Sequence, residues 1–251
     1  MFMILIFSKY TLFANASRFG TPPVRALFFE FPDEPELFAI DTQYLVGADV
    51  LVTPVLAPNV TTVEGMNDIV DIIGILSLLG MFPGRGKVIW RDWYTHRVVQ
   101  ASADGYATLS APLGHINVHV RDGAAILMHA RPAYTIYETR QGPFALLVSQ
   151  DTKNHAFGTA YLDDGESYPP GPSRELTITS AAGEVRIEVR GTFYVEQKLD
   201  EVTVLGVSTR PRSLWVNGKG VKSWDYSAQQ YKLVARGLGV DLNQLALLKW
   251  K

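Results

Sequence analysis

The sequence predicts a mainly β protein, and three observations carry that expectation. From residue 87 onward, short runs rich in Val, Ile, Leu, Thr and aromatics recur at close intervals, separated by turn dipeptides such as Ala182-Gly183 and Asn217-Gly218. In residues 111–128 (APLGHINVHVRDGAAILM), Ile116, Val118 and Val120 alternate with Asn117, His119 and Arg121, the period of a half-buried strand. Finally, Pro112 and Gly114 turn the chain into that strand and Asp122-Gly123 turns it out into a second apolar run, residues 124–128. Strand signals are dense on both sides, so this stretch reads as the end of one β-domain and the start of another.

The elements follow in order. Residues 1–19 read as one helix stopped at Gly20, with Thr21-Pro22-Pro23 forcing an extended exit. The apolar start and Ala14-Asn15-Ala16 also fit a signal peptide and its cleavage site, although no positive charge precedes the apolar run and Lys9 interrupts it. Residues 24–31 (VRALFFEF) have strand length, residues 37–46 suit a short helix stopped by Gly47, and residues 50–55 form a buried strand whose Pro54 marks an edge or an end. Residues 66–80 (MNDIVDIIGILSLLG) fit neither period cleanly and are too short to span a membrane. An ordinary core helix is one reading. The other is an insert, because Gly65-Met66 is repeated as Gly80-Met81 and its removal leaves a continuous strand-and-turn sequence. Strands are then expected at 87–94, 106–109, 144–148, 158–162, 175–179, 184–190, 191–195, 201–207, 213–216 and 230–234, with a last apolar run in 241–251. That density implies a β-sandwich.

Composition bounds the function. At 251 residues with 47% hydrophobic content, the chain can bury the cores of one large domain or two ordinary ones. A net charge of −2 and the lack of a basic run argue against a nucleic-acid partner. The absence of cysteine removes disulfides and thiol chemistry. His115 and His119 share one strand face, but with no third ligand nearby they read as outward polar positions rather than a metal site. Tyr161-Leu162-Asp163-Asp164-Gly165-Glu166-Ser167 gathers three carboxylates, which reads as a turn more readily than as calcium ligands or an acid/base pair. Asp33, Glu34 and Glu36 read as solvated loop charges. Trp90, Trp93, Tyr94, Trp215 and Trp224 suit either core packing or a sugar-stacking platform. Asn15-Ala16-Ser17 and Asn59-Val60-Thr61 are sequons, making Asn15 and Asn59 the candidate N-glycosylation sites. No catalytic residue, metal ligand or cofactor site is expected.

Several motifs in fixed order carry a resemblance. They are YTLFANA at 10–16, TPPVRALFFEFPD at 21–33, DTQYLVG at 41–47, LVTPVL at 51–56, WRDWYT at 90–95, the stretch 111–128, LLV at 146–148, and residues 161–167. Together they are similar to glycoside hydrolase family 31, above all to secreted fungal α-glucosidases, across the chain outside the first nine residues and the insert. The resemblance implies two consecutive β-sandwich domains preceded by a remnant, the last helix and strand, of a (β/α)8 catalytic barrel. The boundaries it implies are 1–46 for the remnant, 47–131 for a proximal β-domain containing the insert 66–80, and 132–251 for a distal β-sandwich. It implies a secreted protein whose parent hydrolyses terminal α-linked glucose, with α-glucosides or malto-oligosaccharides as partners and no cofactor, nucleic acid or membrane. The family's nucleophile lies in a Trp-x-Asp-Met-Asn-Glu-type strand end and its acid/base after a Gly-Asp-Asn-type motif. Neither motif occurs in this sequence, so the chain alone is expected to be inactive. A stand-alone carbohydrate-binding or scaffold module is the alternative.

Overall fold

The computed structural model of the chain describes residues 6–56 and 77–251. The chain divides into two compact units, Pro22–Asp122 on one hand and Gly123–Lys251 together with Met1–Thr21 on the other. It passes between them at Asp122-Gly123, within the stretch that the sequence singles out. Helix α1 (Ile6–Phe19) ends where expected: Gly20 takes φ +71° and its N–H reaches the Ala16 carbonyl at 2.9 Å.

In the Pro22–Asp122 unit, β1 is only Val24–Arg25, and helix α2 (Leu27–Glu30) follows at once. The apolar run 24–31 is therefore not one strand. Leu27 and Phe31 are buried while Phe28 and Phe29 face out, an i/i+4 division that suits a helical turn. Residues 37–46 are not a helix either. A 3-10 turn (Pro35–Leu37) ends the acidic loop, and β2 (Tyr44–Val46) pairs with β3 (Val50–Thr53) across Gly47 at φ +63°. Next come β4 (Ser77–Met81), β5 (Trp90–Asp92), β6 (Tyr106–Ser110) and β7 (Asn117–Arg121). The five-stranded sheet runs β1-β2-β3-β7-β5, and β4 with β6 forms a separate two-stranded sheet.

Most of the segment 66–80 lies outside the described residues. Its last four, Ser77–Gly80, are extended and paired with β6, so a core helix does not reach Gly80. Gln43 fixes this strand: its Nε2 donates to the Met81 carbonyl (3.2 Å) and the Thr53 hydroxyl (2.8 Å), and its Oε1 accepts from Met81 N (2.8 Å). The core gathers Leu27, Leu37, Leu45, Leu51, Phe82 and Trp90.

The second unit begins with β8 (Ala124–His129), helix α3 (Ile136–Gln141) and β9 (Phe144–Ser149). It continues through β10 (Ala156–Leu162), β11 (Arg174–Ala181), β12 (Glu184–Gly191) and β13 (Leu199–Leu205). The end is β14 (Leu214–Val216), β15 (Lys219–Gly220), β16 (Trp224–Ser227), β17 (Lys232–Val240) and β18 (Ala246–Trp250). These strands form one eleven-stranded sheet, β15-β14-β18-β12-β11-β10-β8-β9-β13-β17-β16, curled around a single apolar core. Its turns match their dipeptides. Ala182-Gly183 (φ +50°, +77°) joins β11 to β12 and Asn217-Gly218 (φ +49°, +78°) joins β14 to β15, the signature of tight type I′ hairpins. Asp122-Gly123 makes no hairpin, because β7 pairs with β3 and β5 whereas β8 pairs with β9 and β10. The expected strand 191–195 is absent. Gly191 turns the chain away at φ +95°, at a place where a Cβ would lie 2.2 Å from the Ser173 carbonyl.

Candidate functional site

The histidine face of β7 is not a solvent face. Asn117, Val118, His119 and Val120 are all buried because β7 is a central strand covered on both sides. Asn117 donates to the Ser110 carbonyl (3.0 Å), and His119 meets the Phe82 ring edge-on with centroids 4.8 Å apart. His119 Nδ1 has no hydrogen-bond partner. Burial, outweighing the pull of Asp92, lowers its pKa to about 4, so the imidazole is neutral at pH 7. A cavity of about 530 Å3 opens beside it, lined in part by Asp92, Tyr94, His115 and His119. Asp92 Oδ1 is occupied, accepting from Thr95 N (2.6 Å), the Thr95 hydroxyl (2.7 Å) and Tyr94 N (3.1 Å). His115 packs on the Tyr94 ring. Among the described residues no three His, Asp or Glu side chains are placed to hold a metal.

The acidic loop also departs from expectation. Glu34 and Glu36 are not simply solvated. The buried Glu34 carboxylate accepts from Gly84 N with both oxygens (3.1 Å each). Glu36 pairs with Arg85 at 2.7 and 2.8 Å, and those bonds pull its pKa down to about 2. Both acids hold the Gly84–Gly86 turn in place.

The carboxylate cluster at residues 163–167 is a turn that lines a cavity. Asp164 Oδ1 accepts from the backbones of Glu166 and Ser167 (3.0 Å each), and Oδ2 accepts from the Ser167 hydroxyl, which together lower its pKa to about 2. Asp163 Oδ1 accepts from Gly165 N (2.8 Å) and the Tyr10 hydroxyl (2.5 Å). Arg140 of α3 donates to the Asp164 carbonyl at 3.1 Å. Gly165 takes φ +74°, a conformation that side chains rarely adopt, and the Arg140 guanidinium lies against its open face, 2.3 Å from where a Cβ would sit. The cavity, about 490 Å3, has three walls: α3 with Tyr137 and Arg140, this turn, and residues 193–197. The sequence reading missed α3, although Thr135-x-x-Glu138 announces it. Thr135 Oγ accepts from Glu138 N (3.1 Å) and Glu138 Oε2 accepts from Thr135 N (3.0 Å), a complete capping box.

The tryptophans form no single platform. Trp90 and Trp93 are buried in the Pro22–Asp122 unit, while Trp215 and Trp224 lie near the two ends of the strand order of the other unit. Asn15 is partly exposed on α1, and Asn59 lies outside the described residues. No helix among the described residues is long and apolar enough to cross a membrane.

The chain has recognisable relatives among known proteins. Residues 20–66 match the model of the family described as Glycosyl hydrolase family 31 C-terminal domain. Over 229 residues, 91% of this chain, the sequence is 41% identical to an α-glucosidase of Schizosaccharomyces pombe, and over 232 residues it is 40% identical to an α-glucosidase of Aspergillus niger. In each case the chain spans about a fifth of the relative's length, 22%. The fold matches that of a glucosidase II alpha subunit at a TM-score of 0.80 and 19% identity, covering 99% of this chain and 28% of that one. A family 31 dextranase of Flavobacterium johnsoniae matches at 0.78 and 21%, covering 99% and 31%. The chain is a homologue of the C-terminal part of the glycoside hydrolase family 31 α-glucosidases.

Proposed function

We propose that this chain supplies the non-catalytic β-structure of a secreted family 31 α-glucosidase, whose whole form hydrolyses terminal α-linked glucose, and that the chain alone does not turn over substrate. On this reading α1 and the first strand derive from the end of a catalytic barrel. The observation that carries the proposal is the sequence match to two fungal α-glucosidases across nine-tenths of the chain. The described carboxylates add support. A retaining glycosidase needs a nucleophile and a general acid about 5 Å apart, the acid with a raised pKa. In the 490 Å3 cavity, Asp164 is instead lowered to about 2, with its oxygens committed to the turn.

The purified chain, assayed on maltose and on an aryl α-glucoside, is expected to show no release of glucose above buffer. Hydrolysis that survives re-purification would overturn the proposal. Secretion carries its own expectation: expressed in a yeast secretory host, the chain bears N-glycans at Asn15 and Asn59. A mass unchanged by endoglycosidase treatment would count against that part.

A further inference from the structure

The 490 Å3 cavity of the Gly123–Lys251 unit exposes aromatic surface that its fold does not use. Tyr137 on α3 is 73% exposed and Tyr194 is 64% exposed, and both line the cavity. Neither ring is on a loose segment. The capping box fixes α3, and Thr139 Oγ tightens it further, donating to the Thr135 carbonyl (2.8 Å) and accepting from Ala133 N (2.9 Å). Around Tyr194, Phe193 N donates to the Ser173 carbonyl (3.2 Å) and Arg174 donates to the Phe193 carbonyl. Asn243 clamps Val195 from both sides, accepting from its N–H (2.8 Å) and donating to its carbonyl (2.7 Å). The third wall is the hydrogen-bonded 163–167 turn. Rigid walls around exposed rings are the anatomy of a preformed ligand site, and the volume lies within the usual range of about 300–1,000 Å3.

We propose that this cavity binds a short neutral oligosaccharide, with Tyr137 and Tyr194 as stacking faces. Gln141, Glu166, Glu196 and Gln197 line the same cavity, and their side chains form no hydrogen bond or ion pair among the described residues, which leaves them available to ligand hydroxyls. An aromatic face suits the C–H face of a pyranose ring, and amides with carboxylates suit its hydroxyls. Charge narrows the class. Asp163, Asp164, Glu166 and Glu196 outnumber the single Arg140, whose Nη2 is tied to backbone carbonyls, so phosphate, sulfate and uronate ligands are repelled. A basic peptide would meet that charge, but it would leave the two glutamine amides without a matching role and would bring its own cations against the Arg140 guanidinium. The inference rests on the α-glucosidase reading only for the choice of a glucose polymer as probe.

The test is calorimetric titration of the whole chain with maltotriose and, separately, with tetralysine. Saturable maltotriose binding is expected, with a Kd of about 1 mM or tighter. Tyr137→Ala and Tyr194→Ala, each checked for fold by circular dichroism, should each weaken it by about fivefold or more. Tyr168→Ala, an exposed tyrosine outside the cavity lining, should leave it unchanged. A flat maltotriose titration, binding that survives loss of both cavity tyrosines, or saturation by tetralysine instead would each overturn the site. A flat titration leaves the family reading intact, whereas glucose release during the titration overturns the inactivity of the chain and not the site.

Discussion

At the scale of single residues, His119 shows how burial changes what a side chain does. Its alternation with Val118 and Val120 is plain in the sequence, but period two reports only that a strand has two faces, not that both are covered. Packed on Phe82 with an unpaired Nδ1, it carries a folded-state pKa of about 4 against an ordinary value of 6.5. Between those values the unfolded chain binds the extra proton, so stability falls as pH drops through that window, by up to about 3 kcal/mol from this group. Asp49 works in the opposite sense: burial raises its pKa to about 6, so its cost to the fold is relieved as pH falls from 6 toward 4. His129, in the other unit, is also lowered to about 4, again chiefly by burial. Guanidinium unfolding at pH 7 and pH 4.5 should therefore show a less stable protein at the lower pH. His119→Phe, which keeps the ring and removes the titrating group, should reduce that difference while leaving stability at pH 7 about equal or higher. An unaltered pH dependence in the variant would sink this account.

Among the elements, close approach and capping decide what the sequence pattern leaves open. Gly158 lies in β10 where a Cβ would sit 1.8 Å from the Ala125 carbonyl oxygen, because β10 and β8 approach there in their single parallel pairing at Phe157 and Ala124. Gly158→Ala should cost about 3 kcal/mol or more, read as a lowered denaturant midpoint, since a backbone oxygen has no rotamer to give way. Thr135→Ala removes the α3 cap and should cost about 1 kcal/mol. Strand β4 offers a third case. It is held at Gly80, where a Cβ would sit 2.8 Å from a Leu109 methyl, and at Met81, which Gln43 brackets. Residues 62–66 (TVEGM) present the same Gly-Met pair as SLLGM at 77–81. A chain lacking residues 66–80 is thus expected to fold and to melt no lower than the parent. Failure of that variant to give dispersed amide signals by NMR would show that SLLGM holds the slot for reasons beyond its Gly-Met pair.

For the whole molecule, chain order and spatial grouping diverge. Helix α1, at the start of the sequence, packs on β8 and β10 in the middle of it. β10 pairs with β11 along its length but with β8 only at Phe157, which leaves the edge near Tyr161 open. α1 closes that edge: Thr11 Oγ accepts from Tyr161 N (3.0 Å), the Tyr10 hydroxyl donates to Asp163, and the Arg18 guanidinium lies 4.5 Å over the Tyr161 ring. Removing residues 1–21 should lower the melting temperature of the Gly123–Lys251 unit by several degrees and promote aggregation, both measurable by calorimetry and light scattering. Melting identical to that of the whole chain would mean the helix is dispensable.

The sequence by itself determined the mainly β class, the hairpin turns at Ala182-Gly183 and Asn217-Gly218, the end of α1 at Gly20 and the likeness to the C-terminal part of the family 31 α-glucosidases. All of these are written locally, in turn chemistry, in two-residue alternation and in motifs in fixed order. Only the tertiary structure decided that residues 24–31 split into strand and helix, that His119 is interior and that Glu34 caps the turn at Gly84. The same holds for the cavity that gathers α3, the 163–167 turn and residues 193–197, segments up to about sixty residues apart in the chain. The physical reason is common to them: periodicity records which side chains share a face, but what covers that face depends on strand pairing between segments remote in sequence, such as β9 with β13 and β12 with β18.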